Sequence, residues 1–314
     1  MGIASLNLLS EEDIEQIHQA TVEVLEETGV RIHDEKALDL MDENGCIVDR
    51  DTNIAKIPEH VLEEFIDKIP KFDSWQMYDR SGEKYQRKDV NYLAFGEGTR
   101  MTDRDGTTRE ATKKDVEEIA IVADALDAMD WHKPSVTPND VPKATNYLHE
   151  FEATVLNTSK PLSLGPHNPK TAPELIEMAS AIAGSKEKLV KKPFVMAWSC
   201  PVAPLQHDPI ELGVLMEFAK EGLPVGVLSM GMAGGSCPVT LPGTLVVHNA
   251  EVLSGMIIMQ MVNPGVPTHY GSSTTVMDLR TGACPVGAPE HGLINAAVFQ
   301  MARYYDFPAR VSGS

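Results

Sequence analysis

The chain has 314 residues, of which 42% are hydrophobic and 23% are charged, a composition typical of a globular protein with one or two domains. Its formal net charge of −19 argues against nucleic-acid binding, because a phosphate backbone is bound by Lys and Arg. The four cysteines lie far apart without a C-x-x-C pair, which argues against a disulfide framework or a structural zinc site. We therefore expect neither a nucleic-acid partner nor a bound metal.

The apolar segments argue against a membrane protein. The first ten residues lack the charged n-region and apolar h-region of a secretory signal. The longest apolar stretch, 243–262, contains His248, Asn249 and Glu251, so it predicts a buried helix and not a membrane span. We expect a cytoplasmic protein.

Residues 1–90 predict an α-rich N-terminal segment. Helix starts are visible at Ser10, which three acidic residues follow, at Asp34 and at Pro58. We expect this segment to pack on a main domain formed by residues 91–314.

The main domain alternates strands with helices. Seven strands are predicted, near 92–96, 131–136, 161–165, 193–199, 224–229, 266–271 and 308–312. Six helices separate them, near 113–129, 142–157, 171–183, 208–221, 243–262 and 289–304. Such alternation predicts a parallel sheet built from right-handed crossovers. The predicted fold class is α/β, an incomplete (β/α)8 TIM barrel that ends after its seventh strand.

A doubly wound open sheet is the alternative architecture. Such a sheet usually has a Gly-rich turn after its first strand, and Gly96-Glu97-Gly98 lacks both the third glycine and the helix start. We therefore favour the barrel, in which chemistry lies at the carboxyl ends of the strands.

Three aromatic residues near predicted strand ends suggest a site for an organic cation. Phe95, Trp198 and Tyr270 would surround the mouth of the barrel, where ring faces attract a cation. Core packing is the alternative for all three. Ser272 belongs to a hydroxyl-rich turn after a strand, which is either part of the site or a polar loop with local caps.

Ionisable residues at strand ends or helix starts are candidate acids and bases. Glu97 and Glu290 either act in the site or complement a helix dipole, and His167 is either a general acid or base or a loop residue bonded to backbone. His248 and Glu251 lie three residues apart on one helix face, a spacing that suits metal ligands, although two ligands do not make a site.

Long segments of the chain resemble the trimethylamine:corrinoid methyltransferase family. They are LLSEEDIEQIHQATVEVLEETGV, VGVLSMGMAGGSCPVTLPGTLVVHNAEVLSG, HYGSSTTVMDLRTGACPVGAPEHGLI and YYDFPARVSGS. The resemblance implies a TIM barrel that passes a methyl group from a methylated amine to the cobalt of a separate corrinoid protein, in methanogenesis or methylotrophy. It also implies that the chain itself binds no cofactor, and that its partners are a cognate corrinoid protein and a small methylated amine.

Family members that use trimethylamine have pyrrolysine, encoded by an amber codon, after a Gly-Ser pair like Gly313-Ser314. We therefore expect an amber codon after Ser314, so that the chain as written lacks its main catalytic residue and is inactive. The resemblance implies that the amine adds to the pyrrolysine imine and becomes a positively charged leaving group. We expect Glu290 to protonate the imine nitrogen and Tyr270 to line the site beside it.

Three further expectations remain. The sparsely charged helices at 243–262 and 289–304 should be covered by another subunit, which predicts a homo-oligomer, or by a missing part of the chain. The same fold would suit a fragment of a methyltransferase for glycine betaine or a similar quaternary amine, which lacks pyrrolysine. A protein of a different class, a non-catalytic module that binds the corrinoid protein, is the third possibility.

Overall fold

The described part of the protein has a mixed α/β fold. A computed structural model describes residues 7–85, 90–94, 96, 98–165 and 168–312. The chain divides into two compact units: the first unit comprises Met1–Trp75 and Trp198–Ser314, and the second comprises Gln76–Ala197. The domain boundary predicted at residue 90 stays a prediction.

The N-terminal part of the first unit contains the three predicted helices and a small sheet. The elements are α1 (Glu11–Glu23), β1 (Val30–Ile32), α2 (Glu35–Glu43), β2 (Ile47–Asp49), β3 (Ile54–Lys56) and α3 (Glu59–Lys68). Ser10 begins α1 through a capping box with Asp13, as its position before acidic residues predicts. A π-helical turn extends α1 as far as Thr28, and Gly29 ends it with a φ of 77°.

The second unit begins with a hairpin and continues with alternating helices and strands. Its elements are β4 (Arg100–Thr102), β5 (Thr108–Glu110), α4 (Lys113–Ala125), α5 (Asn146–Asn157), β6 (Leu162–Leu164), α6 (Ala172–Ala183), α7 (Lys186–Lys191) and the first residues of β7 (Val195–Ser199). Strands β6 and β7 pair in parallel, with Leu162 opposite Val195.

Within the described residues, two of the seven predicted strands are present only as isolated parallel bridges, one of which joins Gly98 to Val136. Leu93 pairs with Trp131, and His132 pairs with Leu162. The parallel direction is the predicted one, but the described residues of these two segments do not form a regular strand. Pro134 contributes to this outcome, because it has no N–H to donate within the segment predicted at 131–136.

The rest of the first unit carries the parallel strands that matter for function. Its elements are β8 (Gln206–His207), α8 (Pro209–Lys220), β9 (Val225–Ser229), β10 (Met232–Ala233), α9 (Leu241–Val262), β11 (Thr268–Ser272), β12 (Thr275–Val276), α10 (Pro289–Tyr304) and β13 (Ala309–Val311). Strand β11 pairs in parallel with β9 on one side and with β13 on the other. Because α9 joins β9 to β11 and α10 joins β11 to β13, the arrangement is consistent with part of a (β/α)8 barrel. That the barrel ends after a seventh strand stays a prediction.

Helix α9 explains the longest apolar stretch of the sequence. It packs against β9 and β11 on one side and against α1, α2 and α3 on another. The expectation that another subunit or a missing segment covers this helix is therefore wrong, because the N-terminal helices of the same chain cover it. Among the described residues α9 alone has the length and apolar composition of a membrane span, but 83% of its apolar window is buried, as in the core helix of a globular fold.

Candidate functional site

One face of the strands in the first unit is organised around the indole ring of Trp198. A Cβ atom at Gly226 would lie 2.5 Å from the Cε3 atom of this ring, and one at Gly271 would lie 2.7 Å from its Cζ3 atom. The guanidinium carbon of Arg310 lies 4.8 Å from the ring centroid, and the His269 ring contacts the indole edge to face at 5.6 Å. We call this surface, formed by Trp198, Gly226, His269, Gly271 and Arg310, the Trp198 face.

The Trp198 face bears on the prediction that Trp198 binds an organic cation. The cation over its ring in the structure is Arg310. Its indole N–H is buried and has no hydrogen-bond partner among the described residues. A contact between Trp198 and a substrate stays a prediction.

Tyr270 lies on the opposite side of β11 from the Trp198 face. Successive side chains of a strand point to opposite faces, so Tyr270 and its neighbours His269 and Gly271 are on different sides. The Tyr270 ring is fully buried, and its hydroxyl donates to Asn249 Oδ1 on α9 at 2.6 Å. The structure therefore does not bring Tyr270 together with Trp198 in one aromatic site, and its predicted catalytic role stays a prediction.

The buried hydroxyl of Tyr270 makes a sharp test of that role. Tyr270→Phe leaves Asn249 Oδ1 without this donor in a buried position, so we expect the free energy of unfolding to fall by about 1–3 kcal/mol. Because the ring faces α9, we expect the turnover rate of the folded variant to stay close to that of the wild type. Chemical denaturation and steady-state kinetics on the same preparation measure both quantities. Unchanged stability with lost turnover would support the catalytic role instead.

Hydroxyl groups gather at the carboxyl ends of β9, β11 and β13. The Ser273 amide donates to the Ser229 carbonyl at 2.8 Å, and the Thr274 and Ser229 hydroxyls lie 3.4 Å apart. The Ser312 amide donates to the Ser272 carbonyl at 2.9 Å. The predicted site residue Ser272 thus lies within a hydrogen-bonded group, the strand-end network, which comprises Ser229, Ser272, Ser273, Thr274 and Ser312.

Glu251 of α9 contacts the strand-end network at the end of β9. Its carboxylate accepts from the Ser229 hydroxyl at 2.6 Å and from the Leu205 amide at 2.9 Å. The side chain is fully buried, and this burial raises the pKa of the carboxyl to about 7. Glu251 can therefore hold or release a proton near neutral pH.

The metal pair considered for His248 and Glu251 does not form. His248 Nε2 lies 3.1 Å from the carbonyl oxygen of Gly271, whereas Glu251 binds Ser229 and Leu205. Across the described residues, no group of three or more His, Cys, Asp or Glu side chains is arranged to hold a metal ion.

His291 contacts the strand-end network at the end of β13, and the sequence analysis did not identify it. Its Nε2 atom lies 2.8 Å from the Ser312 hydroxyl. Its backbone carbonyl accepts from the Asn295 side-chain amide at 2.8 Å, and the same amide lies 3.3 Å from the Thr274 carbonyl. Burial lowers the pKa of His291, so its imidazole is neutral at neutral pH.

Two buried polar atoms in this region have no hydrogen-bond partner among the described residues. They are the hydroxyl of Ser273 and the side-chain oxygen of Asn295. Buried polar groups are nearly always hydrogen-bonded, so we expect an ordered water or a ligand to contact these two atoms.

The remaining predicted site residues are placed as follows. Glu290 is exposed in the first turn of α10, where a carboxylate complements the helix dipole, and its role as an acid stays a prediction. Phe95, Glu97 and His167 lie outside the described residues.

Comparison with known proteins identifies the family. The family model described as trimethylamine methyltransferase (MTTB) matches residues 1–314. The chain is 38% identical to trimethylamine methyltransferase MttB of Desulfitobacterium hafniense, a match that covers 97% of the chain and 62% of that protein. It is also 38% identical to MttB of Methanosarcina thermophila, over 98% of the chain and 65% of that protein.

A relative with a different named substrate is more distant. Glycine betaine methyltransferase of Desulfitobacterium hafniense is 30% identical, over 98% of the chain and 64% of that protein. The chain thus spans 62% to 65% of the length of these three relatives. Because the family model matches along the whole sequence, this chain belongs to the trimethylamine methyltransferase (MTTB) family.

Proposed function

We propose that this chain is part of a methyltransferase that moves a methyl group from trimethylamine to the cobalt of a cognate corrinoid protein. The observation that carries the proposal is the match to the trimethylamine methyltransferase family over residues 1–314. A cytoplasmic location, a homo-oligomeric state and a role in methylamine-dependent metabolism belong to the same proposal.

The choice of trimethylamine as substrate is supported by the order of the identities. Relatives named trimethylamine methyltransferase are 36% to 38% identical to the chain, and the one named glycine betaine methyltransferase is 30% identical. A quaternary amine is therefore the second candidate substrate.

The reaction requires a positively charged nitrogen. When cobalt(I) attacks a methyl carbon, the C–N bond breaks, its electron pair stays on nitrogen, and the cobalt electron pair forms the C–Co bond. A neutral trimethylamine would have to leave as an amide anion, whereas a protonated or otherwise quaternised nitrogen leaves as a neutral amine. A demethylase for tertiary amines therefore needs either groups that control a proton at nitrogen or an electrophile to which the nitrogen adds.

The first unit offers such groups at the carboxyl ends of its parallel strands. The buried carboxyl of Glu251 and the imidazole of His291 each hydrogen-bond to a strand-end serine. In (β/α)8 barrels this end of the strands is where chemistry takes place, which supports the strand-end network as the place where the amine binds. The pyrrolysine implied by the resemblance, and protonation of its imine by Glu290, stay predictions.

The proposal is tested with the protein as its native host produces it, together with its corrinoid protein in the cobalt(I) state. We expect trimethylamine to convert cobalt(I) to methyl-cobalt(III), detected by absorbance, with one dimethylamine formed per methyl group, detected by mass spectrometry. Methylation from glycine betaine but not from trimethylamine would assign the second candidate substrate. A protein that binds the corrinoid protein and transfers no methyl group from any amine would be a non-catalytic module, contrary to the proposal.

A further inference from the structure

Glu251 joins two segments of the first unit that follow different strands. One carboxylate oxygen, Oε2, accepts from the Ser229 hydroxyl at 2.6 Å, at the carboxyl end of β9. The other oxygen, Oε1, accepts from the Leu205 amide at 2.9 Å, in the segment that follows β7. The Glu251 and Ser229 side chains are fully buried. Each oxygen of this buried carboxylate therefore holds a different strand-end segment.

The backbone of Leu205 has a conformation that needs such support. Its φ of 54° is in the left-handed region, which a residue with a bulky side chain rarely adopts and which costs energy. Its amide is held by Glu251, and its carbonyl accepts from the Arg31 amide at 2.9 Å. The turn around it is closed by the Val202 amide, which donates to the Gln206 carbonyl at 2.8 Å. A strained backbone conformation persists where surrounding groups fix it, and Glu251 supplies one of the bonds that do so.

Ser229 connects Glu251 to the rest of the strand-end network. The Ser229 carbonyl accepts from the Ser273 amide at 2.8 Å and from the Thr274 hydroxyl at 3.3 Å. The end of β11 is thus bonded to the end of β9, which is bonded through Glu251 to the segment after β7. In (β/α)8 barrels the segments at this end of the strands carry the chemistry, so their relative positions determine the geometry of a site.

We propose that Glu251 is a positioning residue for the methyl transfer, because it binds the Leu205 amide and the Ser229 hydroxyl together and so fixes the segment after β7 relative to the end of β9. This inference rests on the proposed function, since it assigns a residue that orders the site of that reaction. Glu251 acts through its two hydrogen-bond partners and does not itself touch the substrate.

Loss of such a residue is expected to affect turnover more than substrate binding. A displacement of about 1 Å at the reacting groups can cost about 100-fold in rate, because transfer requires close approach and alignment. Binding of a small amine depends less steeply on distance. The expected result is therefore a fall in kcat with little change in KM.

The proposal is tested with variants made in the native host and assayed with the corrinoid protein in the cobalt(I) state. Glu251→Ala should lower kcat for trimethylamine by roughly 10- to 100-fold and change KM by less than about threefold. Glu251→Gln should recover most of kcat, because its side-chain oxygen can accept from the Leu205 amide and its NH2 group can donate to Ser229. Ser229→Ala removes a single hydroxyl, so the variant should fold, and it should lower kcat by a smaller factor than Glu251→Ala.

Hydrogen exchange measures the same link without any substrate. The Leu205 amide should exchange roughly 10- to 150-fold faster in Glu251→Ala, the factor that corresponds to a lost hydrogen bond with a charged group. In Glu251→Gln and Ser229→Ala this amide keeps an acceptor and should exchange nearly as slowly as in the wild type. Mass spectrometry of fragments that cover residues 201–207 measures the rates.

Gln260 provides a matched control on the same helix. It is also fully buried and binds backbone groups, because its side-chain amide donates to the Val266 carbonyl at 2.9 Å and its oxygen accepts from the Gly265 amide at 2.8 Å. These groups precede β11, at the amino end of the strand. Gln260→Leu should lower the melting temperature, yet kcat and the exchange of the Leu205 amide should stay within about twofold of the wild type.

Several results would overturn the role of Glu251. They are a Glu251→Ala or Ser229→Ala variant with the kcat of the wild type, a Glu251→Gln variant as slow as Glu251→Ala, and an equal loss of kcat in Gln260→Leu, which would trace the effect to stability alone. A wild type that transfers no methyl group from trimethylamine would instead overturn the proposed function. Exchange of the Leu205 amide would then decide whether Glu251 fixes this segment, and an unchanged rate in Glu251→Ala would show that it does not.

Discussion

Gly226→Ala is expected to lower the free energy of unfolding of the protein by about 1–3 kcal/mol, the usual cost of overpacking a core. The new Cβ would lie 2.5 Å from two atoms of the Trp198 ring, Cε3 and Cζ3. The indole is rigid and buried, so it cannot yield as a flexible side chain would. Chemical denaturation of the variant and the wild type measures the difference.

Two further variants make this result specific. Gly292→Ala, on an exposed turn of α10 where a Cβ meets no atom within 4 Å, should leave stability unchanged or raise it by up to about 1 kcal/mol. Trp198→Leu in the Gly226→Ala background should recover part of the loss, because the smaller side chain makes room for the methyl group. A Gly226→Ala variant as stable as the wild type would mean that the Trp198 ring does not lie across β9.

Glu251→Gln is expected to become more stable relative to the wild type as the pH rises. The carboxyl has a pKa of 4.5 when unperturbed and about 7 in the folded protein. Between these values the folded state holds a proton on Glu251 that the unfolded state has released, so this carboxyl's contribution to the free energy of unfolding falls as the pH rises from about 4.5 to about 7. At about 1.36 kcal/mol per pKa unit, the difference between variant and wild type should grow by about 3 kcal/mol across this interval.

The buried histidines near Glu251 also change stability within this interval, but they do so equally in variant and wild type, so their contribution cancels in the difference. Burial lowers the pKa of His207 and of His248 to about 4, and it raises that of Cys237 to about 12. Glu290→Gln is the matched control, because it removes the same charge at an exposed position of α10 and should change stability by less than about 0.5 kcal/mol at either pH. A Glu251→Gln difference that stays constant between pH 5 and pH 8 would show that the carboxyl is ionised without penalty in the folded protein.

The helices could be predicted from the sequence because their signals are local. Helix α10 occupies 289–304 as predicted, with Pro289 at its first position, and α9 was predicted to within two residues of its start. Proline positions, capping residues and apolar runs are read along the chain and do not depend on what the helix later contacts.

The faces of the strands could not be predicted in the same way. Parallel strands are buried on both sides, so β11 shows no apolar and polar alternation that would say which way Tyr270 points. The sequence analysis placed Tyr270 beside Trp198, whereas the ring packs under α9. A shift of one residue in that assignment exchanges the two faces, and only the pairing with β9 and β13 decides between them.

The two ionisable residues of the candidate site are also products of tertiary structure. Glu251 lies within the most apolar segment of the chain. Its place in the candidate site depends on its hydrogen bond with Ser229, which forms only when α9 packs against the end of β9. His291 gains its contact with Ser312 only because β13 pairs with β11. A histidine followed four residues later by Asn295 at a helix start was the available signal, but it is too common to single out a site.

The central claim is that trimethylammonium binds at the carboxyl ends of β9, β11 and β13. The most direct measurement is a crystal structure of the protein, as its native host produces it, with trimethylammonium bound. The account predicts the ligand beside the strand-end network, with a methyl group or the nitrogen within about 4 Å of one of its side chains. A ligand bound away from the strand-end network, with no atom near the ends of β9, β11 and β13, would contradict it.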